Sequence, residues 1–71
     1  MQAREIRTWT SEEVQERLDE DFRRLFALRR ELAMGRLEDY NQVRAVKRDI
    51  ARMKTVLRER ELVTGMVEEA A

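Results

Sequence analysis

Two stripes of apolar residues at helical spacing divide the chain. Val43, Val46, Ile50, Met53 and Leu57 recur at alternating steps of three and four. Val14, Leu18, Phe22, Leu25, Leu28 and Leu32 form a second stripe, broadened by Phe26 and Ala33. Such spacing keeps side chains on one face of an α-helix. It predicts one helix over Ser11–Met34 and another from about Asp39 to Arg60. The ends carry their own signals. Thr10 with Glu13 makes a capping box, and Trp9 with Val14 makes a hydrophobic staple around the first helix start. Glu12 and Glu13 near that start, and Arg29 and Arg30 towards the end, complement the helix dipole. Gly35 supplies the left-handed residue that closes many helices. Asp39, with Gln42 three residues on, caps the second helix.

A break of a few residues between two long helices forces them antiparallel. The predicted fold is therefore all-α: an antiparallel two-helix hairpin with a short N-terminal helical turn and a mobile C-terminal tail. Leu37 is expected to plug the turn end of the seam. In the N-terminal segment Ile6 is the only large apolar residue after Met1, so a loosely held turn is expected there. After Arg60 the stripe fades and Gly65 interrupts, which predicts a frayed helix end and an acidic tail over 61–71, set apart from the hairpin domain over 1–60.

Composition narrows the function classes. Proline, histidine and cysteine are absent and glycine occurs twice in 71 residues, so disulfides, thiol chemistry and the usual zinc sites are excluded. No apolar run reaches the roughly 18 residues of a membrane span, and the early acidic residues argue against a targeting peptide. The expected compartment is cytosolic, with no membrane, small-molecule substrate or cofactor. Formal net charge is zero, yet the charge is unevenly spread. Residues 36–60 hold 8 basic against 4 acidic residues, and residues 61–71 hold 3 acidic and no basic ones.

That excess lies on one face. Winding the second helix at about 100° per residue places Arg44, Lys47, Arg48, Arg52, Lys54, Thr55 and Arg58 around the side away from the apolar stripe. Cations at this spacing can follow a phosphate backbone, arginines suit bidentate phosphate contacts, and Thr55 could donate to a phosphate oxygen. The competing reading is a solvated face that keeps an amphipathic helix soluble. On the first helix, Glu13 with Arg17, Asp19 with Arg23 and Glu20 with Arg24 neutralise one another at i,i+4. Glu16 and Glu20 could form a carboxylate pair, but a two-helix hairpin offers no pocket for catalysis. Trp9 reads as the staple before it reads as a stacking platform, and Tyr40 beside the turn is either surface or contact.

The runs Leu25-Phe26-Ala27-Leu28-Arg29, Gly35-Arg36-Leu37 and Arg44-Ala45-Val46-Lys47-Arg48-Asp49-Ile50-Ala51-Arg52-Met53-Lys54-Thr55 resemble the bacterial form of the large-subunit ribosomal protein number twenty-nine family. Ala3-Arg4-Glu5-Ile6-Arg7 resembles the opening of that family. Glu31, Arg36 and Asp39-Tyr40 depart from its usual residues around the turn. The resemblance implies a non-enzymatic structural constituent of the large ribosomal subunit, bound to large-subunit rRNA at the rim of the polypeptide exit tunnel. It implies large-subunit protein number twenty-three as neighbour, and nascent-chain chaperones or targeting factors as further partners. The RNA-facing set is then Arg29, Arg44, Lys47, Arg48, Arg52, Lys54 and Thr55, joined by Arg36 at the turn and Arg58 on the same helix face. Two rivals remain: a cytosolic coiled-coil adaptor without RNA, and a small all-helical mutase, which would need a third helix and an enclosed basic pocket.

Overall fold

In the computed structural model, residues 2–70 are described, with side-chain surroundings through Thr64. Three helices follow in order: α1 over Ala3–Ile6, α2 over Ser11–Ala33 and α3 over Asn41–Ala70. The two long helices pack along each other as a hairpin, and α1 folds back onto α3. The result is a rod measuring 55 × 19 × 15 Å. It is one layer of side chains thick between its two long elements.

Local chemistry sets each boundary. Thr10 sits in an extended conformation, and its Oγ1 accepts the Glu13 backbone N–H at 3.1 Å. Trp9 is half-buried against the core and Val14 is fully buried, as a staple requires. At the other end of α2, the Arg36 N–H donates to the Glu31 carbonyl at 2.8 Å. The Gly35 N–H donates to the Leu32 carbonyl at 3.0 Å. This is a Schellman closure, and Gly35 holds the left-handed φ of +70° that it needs. Asp39 Oδ1 then accepts the Asn41 N–H at 2.9 Å and starts α3.

The core gathers Ile6, Val14, Leu18, Leu25, Leu28, Val43, Val46, Ile50, Met53 and Val56. Phe22, Leu37 and Leu57 pack against it from the edges. Three expectations need correction. Ile6 is fully buried, so the N-terminal turn is held fast rather than loosely. Val56, not Leu57, lies deepest near the open end. A straight helix drifts by about 20° per heptad against its partner, and α1 covers the side towards which α3 has turned. Phe26 and Leu32 stand outside the seam, at 62% and 45% exposure. Phe26 follows Leu25 by about 100° of winding, which carries it past the edge of a single helix pair. Leu37, coming back from the turn, packs against the core at that end of the seam, as expected.

Beyond Arg60, α3 continues as far as Ala70, through the stretch expected to hold the end of that helix. A single glycine within a helix costs only about 1 kcal/mol relative to alanine, so Gly65 does not stop propagation. The loss of pattern shows instead in exposure: Leu62 and Val63 point away from the core.

Candidate nucleic-acid interface

Outside the seam, α3 exposes Arg44, Lys47, Arg48, Lys54, Thr55 and Arg58. Helical winding sorts them into two neighbouring rows. Arg44, Arg48 and Thr55 lie farthest from α2, with small Ala51 between them. Lys47, Lys54 and Arg58 form a flank that borders α2 on its Phe22 side, because Lys54 Nζ sits 5.1 Å from the centre of the Phe22 ring. Arg29, seven residues after Phe22, borders that same flank from α2. Arg36 is exposed in the turn, separate from the rows.

Two members behave differently from the sequence expectation. Arg52 is half-buried and its Nη1 lies 3.9 Å from Asp49 Oδ1, so part of its charge is answered within the helix. Thr55 Oγ1 donates to the Ala51 carbonyl at 2.9 Å. Its proton is engaged, leaving lone pairs to offer rather than the donor expected for a phosphate oxygen.

Aromatic residues position several cations. Arg17 lies 5.6 Å over the Trp9 ring, and Arg44 lies 5.4 Å over the Tyr40 ring. A cation over a ring face gains about 0.5–1 kcal/mol at exposed sites. The Trp9 pair belongs to the structural corner, since Trp9 packs on the core. The Tyr40 pair is on the surface, with Tyr40 44% exposed.

Sequence reasoning passed over two groups. Arg60 sits one heptad after Met53, on the core side of α3, and it fastens the corner between α1 and α2. Its Nη2 donates to the Trp9 carbonyl at 2.7 Å and more weakly to the Arg7 carbonyl at 3.4 Å; Nη1 donates to Ser11 Oγ at 3.0 Å. An arginine at an apolar register position was the signal available. Arg7 adds an exposed ion pair to Glu59 at 3.6 Å. The second group is Asp21, whose Oδ2 is buried without a hydrogen-bond partner. Burial raises its pKa above the ordinary 3.8, the nearby Asp49 charge raises it further, and Arg17 and Arg24 oppose both.

An open groove of ≈ 520 Å³ lies beside the corner, lined by Arg7, Ser11, Val56, Glu59, Arg60 and Val63 among others. Its carboxylate, Glu59, pairs with Arg7, and Arg60 is engaged with backbone carbonyls. Among the described residues, no group of His, Cys, Asp or Glu could hold a metal ion. No helix there is long and apolar enough to cross a membrane.

A family model described as Ribosomal L29 protein matches residues 4–60. The chain is 52% identical over 62 residues to large ribosomal subunit protein uL29 of Thermotoga petrophila, covering 87% of this chain and 94% of the relative. It is 48% identical over 65 residues to the protein of the same name from Geobacillus stearothermophilus, covering 92% and 98%. The Staphylococcus saprophyticus protein is 44% identical over 69 residues, covering 97% and 100%. The matched residues 4–60 run from α1 to Arg60 and contain the corner, the seam and both cationic rows.

Proposed function

Because the chain belongs to the ribosomal L29 protein family, we propose that it serves as a structural constituent of the large ribosomal subunit, binding large-subunit rRNA through the basic face of α3. The protein is a structural component and not an enzyme. The observation that carries the reading is the pair of exposed cationic rows on α3, one facing away from α2 and the other flanking the seam. The seam props α3 from behind, α1 and Arg60 lock its far end, and the cations are left to meet phosphates. Recognition rests chiefly on backbone shape and charge, since lysine and arginine contacts to phosphate position a protein without reading sequence. The rim of the polypeptide exit tunnel, with large-subunit protein number twenty-three beside it and nascent-chain factors nearby, is the location that the family resemblance supports.

The test is co-sedimentation with large subunits as salt is raised. Each lost phosphate contact removes about one unit from the salt slope of the binding constant. The double variant Lys47→Glu, Arg48→Glu removes two exposed cations from adjoining rows and leaves the seam intact. It should detach at markedly lower salt than the unsubstituted protein, with helicity unchanged by circular dichroism. Equal retention at every salt concentration would refute the basic-face mechanism.

A further inference from the structure

We propose that Tyr40 and Arg44 form a stacking site for an unpaired nucleobase, so that the turn end of the hairpin grips a bulged or looped nucleotide while the cationic rows follow the backbone. The inference rests on the RNA-binding reading above and adds a class of ligand to it. Three cation–aromatic pairs occur among the described residues. In two of them the ring, Trp9 or Phe22, packs against the core and has a structural task. Tyr40 has none: it lies outside the core cluster, is 44% exposed, and contributes to α3 through its backbone carbonyl, which accepts the Val43 and Arg44 N–H groups. Its ring is nonetheless not loose, because the Arg44 guanidinium lies 5.4 Å over it. An exposed ring beside a planar cation, at the head of a cationic row, suits an RNA base. Unstacked bases are taken up on aromatic rings and guanidinium planes. A cation already resting on the ring also lowers the ordering cost of the site.

The probe is a fluorescein-labelled two-stranded RNA duplex carrying one bulged adenosine, with a fully paired blunt-ended duplex as control, titrated with the full chain. Base–aromatic stacking predicts that Tyr40→Ala weakens binding to the bulged RNA by about 5-fold or more and leaves the paired control unchanged. Tyr40→Phe keeps the ring and should retain the preference. Tyr40→Leu keeps apolar area without a π face and should lose it. Circular dichroism confirms that each variant is folded.

Tyr40→Ala acting equally on both RNAs, or on neither, overturns the stacking site; in the second case Tyr40 is left as part of a protein-facing surface. Retained preference in Tyr40→Leu overturns it too, by making the contact simple packing. Failure of the underlying reading looks different: Lys47→Glu, Arg48→Glu would then bind both duplexes as the unsubstituted chain does.

Discussion

Replacing Arg60 with methionine should loosen the corner that holds α1, and the structure fixes how much. Methionine keeps an apolar stem against the core while removing the guanidinium, so the change isolates three hydrogen bonds. The bond to the Trp9 carbonyl is short, at 2.7 Å, and part-buried. A charge-assisted bond of that kind contributes about 1.5–3 kcal/mol. The bonds to Ser11 Oγ and the Arg7 carbonyl are exposed, and the second is long at 3.4 Å. Together they add about 0.5 kcal/mol on the scale of exposed interactions. A loss of about 2–3 kcal/mol is a large share of the stability of a chain this small. In domains of this length each kcal/mol moves the melting temperature by about 4–8 °C, which gives a fall of roughly 10–20 °C. Thermal melts by far-ultraviolet circular dichroism measure it. Trp9, the only tryptophan, reports the corner through its emission, which should shift to the red before global unfolding. A variant melting within about 3 °C of the unsubstituted protein, below the shift of a single kcal/mol, with unchanged Trp9 emission would refute the assignment of Arg60 as the fastener.

Gly35→Ala tests the turn. A Cβ at Gly35 meets nothing within 4 Å, so the whole cost comes from holding φ at +70°, about 1–2 kcal/mol; urea denaturation should find that loss, and Gly35→Asn should lose less. Asp21→Asn tests the half-buried carboxyl. Its folded pKa is raised, so the folded state binds the proton more tightly than the unfolded one, and stability falls as pH rises from the unfolded value near 3.8 through the folded pKa. The asparagine variant should therefore melt higher at pH 7, with the advantage disappearing in acid below that window; a lower melting temperature at pH 7 would contradict it.

Features decided by neighbouring residues were legible in the sequence. Thr10, Gly35 and Asp39 act on backbone groups two or three positions away, and their residue types name the conformation they impose. The basic rows were legible for the same reason, since helical winding alone separates Arg44 and Arg48 from Val43 and Ile50. What a third element contributes was not. Ile6 and Val56 owe their burial to the return of α1, which four residues of weak periodicity do not announce. Phe26 carries an apolar side chain without a facing partner, and only the finished packing reveals that it stands outside the core. Arg60 finds its acceptors in carbonyls about fifty residues away along the chain, which no side-chain pattern records. Thr55 and Arg52 were placed on the correct face, but the partners that engage them, Ala51 and Asp49, alter what each has left to offer.

The Schellman turn at Gly35 also sets an order of events. In a hairpin, every pairing across the seam lies farther along the chain than the one nearer the turn. Laid down from Gly35 outward, each rung closes only a few additional residues of loop. The 51-residue separation between Trp9 and Arg60 is therefore never closed in a single step. Contacts near the turn are expected to form early, so Gly35→Ala should slow folding. The Arg60 corner is then expected to form late, so Arg60→Met should speed unfolding and leave the folding rate nearly unchanged, which stopped-flow kinetics would measure. Entry to the native state and exit from it would then be controlled from opposite ends of the same rod.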